Sequence, residues 1–198
     1  MAYTAVQICN IALTRVGGKR ISSLSEQSEN AIIANTIYNP IYEHVLASHE
    51  WHCAIRRARL AQLSSFPEYE YDYKYQLPSS PKCLRVLSTY PETEYKIEGQ
   101  ELLCNIDQIY IRYIARIDES ELDSHVALVV AARLAIEFAN RVAQDTALKG
   151  QLWQEFQLME LKAKNIDGKG REKDEKGEYD WIKAGWETET ESEDKYLE

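Results

Sequence analysis

The sequence is poor in the features that assign a protein to a class at once. It has no excess of basic residues, since it contains 23 Lys and Arg against 32 Asp and Glu and its formal net charge is -9. This charge argues against a surface that binds DNA phosphates. Its longest apolar run, Val126 to Ala132, is far shorter than the ~20 residues that span a bilayer. The four cysteines form no C-x-x-C pair, and no charged segment followed by an apolar one opens the chain. We therefore expect a soluble protein with reduced cytosolic thiols and no membrane partner.

Familiar catalytic motifs are also missing. The sequence contains no Gly-x-Ser-x-Gly, no dinucleotide fingerprint after a strand and no Asp-rich calcium loop. Paired carboxylates such as Glu119 and Glu121, or Asp118 and Asp123, could act as acid and base in glycoside hydrolysis, but they lie where helix caps are expected. We therefore expect a protein that is not an enzyme and that needs no cofactor.

A cluster of candidate metal ligands lies in residues 49–61. His49, His52 and Cys53 suggest zinc, because a helix would place the first and last of them on one face. The metalloprotease spacing, however, requires a histidine where this chain has Cys53. A closed site needs three or four ligands, and the other histidines are His44, five residues upstream, and the distant His125. We expect no metal here, and a metal-dependent regulator remains a minor hypothesis.

The same segment also fits a junction between a helix and a sheet. The helix would end near Trp51, and Ala54, Ala58 and Leu60 would pack in the extended segment that follows while arginines such as Arg57 face water. This pattern predicts that Trp51 is buried as a wedge between the two parts of the fold.

Helical spacing on both sides of a strand-rich segment predicts an α+β protein. A capping box at Thr4, a second start at Ser23 and a third at Asp123 each open an amphipathic run, and a fourth run ends at Asp167-Gly168. We predict an antiparallel helical bundle with one small inserted antiparallel β-sheet and an extended C-terminal arm. The predicted parts are the first half of the bundle (1–53), the β-rich insertion (54–118), the second half of the bundle (119–166) and the arm (167–198).

Alternation of apolar and polar residues predicts the strands of the insertion. Apolar side chains occupy every second position from Tyr69 to Leu77 and again from Ile109 to Ile117. The sequence Glu98-Gly99-Gln100 between two further strands is typical of a hairpin turn.

The C-terminal arm is both acidic and aromatic. Residues 167–198 hold 6 Lys or Arg and 12 Asp or Glu, a net charge of -6 out of the total of -9. Such a composition cannot bury enough surface to fold alone. Large side chains that suit partner pockets nevertheless occur in it. They are Tyr179, Trp181, Ile182, Trp186 and Tyr196. We expect the arm to become ordered on a partner.

Several strings, in this order along the chain, resemble one protein family. They are Ile8-Cys9-Asn10-Ile11-Ala12-Leu13 with Gly17, the helix from Tyr38 to Trp51, Ala54, Arg57-Ala58, Leu60-Ala61, Tyr73 to Pro78, Leu84-Arg85-Val86, Tyr95 to Gly99, Ile111-Arg112-Tyr113-Ile114 and Leu134-Ala135. The chain thereby resembles the head-to-tail adaptor proteins of short-tailed bacteriophages, the tail tubular protein A or gatekeeper family. Each string alone is weak, but their order over about residues 3–166 is specific.

The resemblance implies a non-enzymatic virion protein that forms a dodecameric ring beneath the portal. The ring would continue the DNA channel without sequence-specific binding and would present a platform for the tail nozzle, of the tail tubular protein B type, with the tail fibre as a further contact. Its place would be the head–tail junction of the virion after assembly in the host cytoplasm. The arm, through Tyr179, Trp181, Ile182, Trp186 and Tyr196, would bind the portal. The alternative function is a virion-associated cell-wall hydrolase that uses surface carboxylates.

Overall fold

A computed structural model of the protein describes residues 3–139 and 146–187, with side chains described for 3–139 and 147–169. Helices occupy both ends of this part of the chain, and strands fill the middle. The helices are α1 (Ala5–Arg15), α2 (Glu29–Ser48), α3 (Ser124–Phe138) and α4 (Thr146–Glu187). The strands are β1 (Ile55–Arg59), β2 (Ala61–Gln62), β3 (Tyr73–Gln76), β4 (Cys83–Tyr90), β5 (Tyr95–Glu98), β6 (Glu101–Cys104) and β7 (Tyr110–Ala115).

The predicted fold class is wrong in its architecture. The described residues form a mixed α+β fold with four helices and two antiparallel sheets of seven strands, not a helical bundle with one small inserted sheet. One sheet has the order β1-β7-β4 and the other the order β2-β3-β6-β5. Alternation along a strand shows which face is buried but not which strand is its partner, so the pattern did not reveal the division into two sheets.

The chain passes from the first sheet to the second at Leu60. This buried residue separates β1 from β2, and its backbone N–H donates to the carbonyl of Ile109 at 3.0 Å. The two strands therefore belong to different sheets although one residue divides them. The predicted hairpin between β5 and β6 is confirmed, and Gly99 takes a φ of +62°, a left-handed conformation that favours glycine.

The helix starts were predicted with mixed success. The Thr4 side chain accepts from the N–H of Gln7, and the reciprocal bond completes the predicted capping box of α1. Helix α2 does not begin at Ser23, because Ser28 is its N-cap. The Glu26 carboxylate instead accepts from the N–H and hydroxyl of Ser22, which holds this segment in a turn.

Helix α3 is the centre of the helical part. Ten of its fifteen residues are buried, and it packs against α1, α2 and α4. The strand-rich part adjoins it through α2, which contacts β4 and β7. The Tyr42 hydroxyl on α2 donates to the carbonyl of Ile117 at 3.0 Å and joins the two parts inside the core.

The predicted end of the last helix at Asp167-Gly168 is wrong, because α4 continues to Glu187. The predicted arm therefore begins within helix α4, and residues 188–198 lie outside the described residues. Tyr179, Trp181, Ile182 and Trp186 belong to the helical range, but their side chains lie outside the described ones, and Tyr196 lies outside the described residues altogether.

Candidate functional site

Trp51 is fully buried where α2 ends, as predicted for this segment. Its indole N–H donates to the carbonyl of Val45 at 2.9 Å, which satisfies the polar atom of the ring inside the core. The His49 ring meets the indole edge-on at a centroid distance of 4.6 Å, and the His125 ring lies 6.2 Å away. Two histidines that are distant in sequence therefore flank the same tryptophan.

A buried carboxylate lies between these two histidines. Asp167, on α4, is 4% exposed, and its Oδ1 accepts from the backbone N–H of His52 at 3.1 Å. The His49 Nε2 lies 3.6 Å from Asp167 Oδ2, and the His125 Nε2 lies 3.8 Å from Asp167 Oδ1. Helix α4, the segment after α2 and the first turn of α3 thus meet at one acidic side chain.

Two buried polar atoms of this cluster make no hydrogen bond among the described residues. They are Asp167 Oδ2 and His125 Nε2. Buried polar atoms of native proteins nearly always have a partner, so each such atom requires an explanation. Asp123 lies beside them, and one ligand atom each from Asp123, His125 and Asp167 lie within 4.8 Å of one another. We call Asp123, His125, Asp167 and His49 the histidine–aspartate cluster.

The histidine–aspartate cluster differs from the zinc cluster considered from the sequence. Of the three ligands considered, the structure brings only His49 into it; His52 contributes a backbone N–H, and Cys53 is no member. His125, which the sequence places far away, is a member. A signal for Asp167 was present in the sequence: it follows Ala163 by four residues and so continues the buried stripe of α4 with a carboxylate.

The thiols are protected from deprotonation by burial. Burial raises the pKa of Cys9 to about 12 and that of Cys83 to about 11, and it also raises the pKa values of Cys53 and Cys104. Because the thiolate is the reactive form, such thiols are poor nucleophiles near neutral pH.

The carboxylates considered for hydrolysis are held by neighbouring side chains. Glu119 accepts from the hydroxyl of Tyr38 at 3.3 Å and from Arg116 at 3.1 Å. Glu121 forms an ion pair with Arg56. Both carboxylates lie on a short 3-10 helix before α3. These contacts fix that helix against α2, β1 and Arg116, the residue that follows β7, which is a structural use of the two groups.

A groove lined by arginine and tyrosine lies on the β1-β7-β4 sheet. Arg57 stands directly opposite Arg112 on the neighbouring strand, and like charges in such a pair are destabilising. Arg112 is compensated by Glu50 at 3.3 Å, whereas the exposed Arg57 forms no ion pair with the residues that the structure describes. The groove has a volume of about 540 Å³. We call it the arginine groove, and its lining includes Arg57, Arg59, Tyr90, Tyr110 and Arg112.

Exposed apolar side chains occur on two different parts of the fold. On α4, Leu158, Leu161 and Ile166 are 60, 58 and 56% exposed. On the β1-β7-β4 sheet, Tyr90 and Tyr110 are 73 and 40% exposed, and their ring centroids lie 6.5 Å apart. We call the first set the α4 surface and the second the sheet surface. Clusters of this kind on soluble proteins often mark interaction sites.

The other residues of the predicted junction differ in burial, and Ala58 is half-buried. Ala54 and Leu60 are buried, and Arg57 is exposed. Among the described helices, none combines the length and the apolar character needed to cross a membrane. No model of a known protein family matches the chain, and a search of curated proteins found no match.

Proposed function

We propose that this protein is a subunit of a ring-shaped head-to-tail adaptor that joins a phage portal to the tail nozzle. The observation that carries the proposal is the ordered set of family strings along residues 3–166. In such a ring the protein is a structural component of the virion, not an enzyme, and DNA passes through the ring without sequence-specific contacts.

The distribution of exposed apolar residues supports this proposal. A ring is built from heterologous contacts, so each subunit must offer two different surfaces that fit each other. The α4 surface and the sheet surface lie on different elements and can serve as two such surfaces. Leu158 and Leu161 are three residues apart, so they lie side by side on the helix and form one apolar patch.

Charge supports the same assembly. The chain is acidic overall, whereas the arginine groove concentrates positive charge on one sheet. Opposite potentials on two parts of one subunit favour its association with further copies and help to fix their orientation. The overall acidity also suits a channel, because a wall of the same sign as DNA does not retain it.

Mass measurement of the full chain, alone and mixed with its portal protein, tests the proposal. We expect a ring on the portal, of the stoichiometry that the resemblance implies. A protein that stays monomeric and forms no portal complex would refute the adaptor function.

Two matched charge variants test the proposed subunit contact. Leu158→Glu with Leu161→Glu should prevent ring formation, because it places two carboxylates in the apolar patch. Arg20→Glu, an exposed change away from both surfaces, should leave the ring intact. Equal assembly of both variants would exclude the α4 surface from the contact.

Truncation after Lys169 tests the proposed portal-binding role of the C-terminal segment. It removes Tyr179, Trp181, Ile182, Trp186 and Tyr196 but keeps Asp167 and the described packing of α4. We expect circular dichroism that differs only by the loss of the helical residues 170–187, together with weakened portal attachment. Undiminished attachment would contradict a role of these aromatic residues.

A further inference from the structure

We propose that the histidine–aspartate cluster is a binding site for one divalent transition-metal ion, with zinc as the best match. Asp123, His125 and Asp167 are the proposed ligands, and His49 positions the Asp167 carboxylate. This inference does not depend on the adaptor function.

The chemistry of the donor atoms favours zinc. Imidazole nitrogen and carboxylate oxygen are both common zinc ligands, and three protein ligands with one further position form a common zinc arrangement. Imidazole ligands disfavour magnesium and calcium, which prefer oxygen. The site therefore has the mixed nitrogen and oxygen character that selects a borderline metal ion.

The distances are close to those of a tetrahedral site. Bonds of about 2.0–2.2 Å to nitrogen and oxygen place the ligand atoms of such a site roughly 3.3–3.6 Å apart. His125 Nε2 lies 3.8 Å from Asp167 Oδ1, and all three proposed ligand atoms lie within 4.8 Å of one another. The 4.8 Å limit exceeds the tetrahedral separation by about 1.2–1.5 Å, so side-chain movements of up to that size would complete the coordination.

The buried atoms give an independent reason for a ligand. The side chain of Asp167 is 2% exposed, and its Oδ2 makes no hydrogen bond among the described residues. A buried carboxylate oxygen without a hydrogen bond is costly, and a metal ion bound to it would remove that cost. His125 Nε2 is likewise buried and without a hydrogen bond there, and it faces the same carboxylate.

The third proposed ligand, Asp123, is exposed and lies on the side of the cluster that is open to solvent. It occupies the N-cap position of α3, but its side chain makes no capping hydrogen bond. An aspartate at this position commonly accepts a bond from the first turn of the helix. Its carboxylate is therefore available to the cluster, and an ion can enter from this exposed side.

The Asp167 carboxylate is oriented by two groups that the proposed site does not use as ligands. The N–H of His52 donates to Oδ1 at 3.1 Å, and His49 Nε2 lies 3.6 Å from Oδ2. Such contacts around a ligand typically change metal affinity by about 10–100-fold when they are lost. We therefore expect that order of effect for His49→Gln and a larger loss for either His125→Gln or Asp167→Asn.

Equilibrium dialysis of the full chain against zinc alone, with metal analysis, tests the site. We expect one tightly bound ion per chain, lost in His125→Gln and in Asp167→Asn. His44→Gln, a change in an exposed histidine on α2, should bind as the original protein does. The acidic C-terminal residues could bind zinc weakly, and this binding would persist in every variant. Binding that is lost in His125→Gln and Asp167→Asn is therefore distinguished from it.

Cobalt spectroscopy of the unaltered protein keeps the test independent of how the variants fold. Cobalt bound here should give the visible bands of tetrahedral nitrogen and oxygen coordination. A thiolate charge-transfer band would assign the ion to Cys53 and overturn the proposed ligands. No tight zinc in the unaltered protein, or tight binding that survives Asp167→Asn, would overturn the site itself.

Discussion

Replacement of Trp51 by alanine should destabilise this protein more than any change in the histidines beside it. The indole is fully buried where α2 gives way to the first strand. Its removal loses the transfer free energy of a large ring and leaves a cavity, which together cost ~3–5 kcal/mol for a Trp→Ala change in a core. The Val45 carbonyl adds little to this cost, because the Ser48 hydroxyl also donates to it at 2.8 Å.

Equilibrium unfolding in urea, followed by far-ultraviolet circular dichroism, measures this effect. Circular dichroism reports on the helices and not on tryptophan fluorescence, so the same assay can be used for the variants that lack Trp51 and for those that keep it. Trp51→Phe should cost less than Trp51→Ala, because the phenyl ring refills most of the space and loses only the hydrogen bond to Val45.

His52→Ala is the matched control for Trp51→Ala. The imidazole of His52 is half-buried, and this residue contacts Asp167 through its backbone N–H. Alanine retains that N–H. We expect a change within about 0.5 kcal/mol. A larger loss in His52→Ala than in Trp51→Ala would refute the view that the tryptophan, not its neighbouring histidine, holds the junction.

Three further predictions concern single polar groups. Tyr42→Phe should cost about 1–3 kcal/mol in urea unfolding, because it leaves the buried Ile117 carbonyl without the hydroxyl that donates to it. Cys9 should resist alkylation in the native protein at pH 8 and react fully after unfolding, since burial raises its pKa to about 12; equal rates in both states would contradict this. Hydrogen bonds from Ser22 lower the pKa of Glu26 in the folded protein, so its contribution to stability is present above the unfolded pKa and is lost as pH falls through the folded one. Glu26→Gln should flatten that part of the acid-unfolding profile, whereas an unchanged profile would contradict the assignment.

The sequence predicted those parts of the fold that local interactions determine. The capping box of α1 and the hairpin at Gly99 depend on residues a few positions apart, and both are present. The start of α2 was misplaced because Glu26 satisfies Ser22 in a turn and does not complete a capping box. A serine followed by a glutamate three residues later is compatible with both structures.

Long-range arrangements could not be predicted from the same patterns. The division into two sheets depends on β1 pairing with β7, across some fifty residues of chain, and on the chain leaving that sheet at Leu60. The histidine–aspartate cluster joins His49 and Asp167, which are 118 residues apart in the sequence. Sequence spacing could examine only nearby ligands, so it considered His52 and Cys53 in place of His125.

The position of Asp167 suggests why a carboxylate lies in an otherwise apolar stripe. Leu152, Phe156 and Ala163 bury the same face of α4, and an apolar residue at 167 would continue it without any cost of desolvation. Apolar contacts alone, however, would allow α4 to shift by a helical turn against its neighbours. The N–H of His52 donates a hydrogen bond specifically to the Asp167 side chain, which such a shift would break. A buried polar group of this kind can fix the register of one element against another. We therefore expect Asp167 to fix the position of α4 relative to Trp51, and a metal ion bound to the same carboxylate would strengthen that effect.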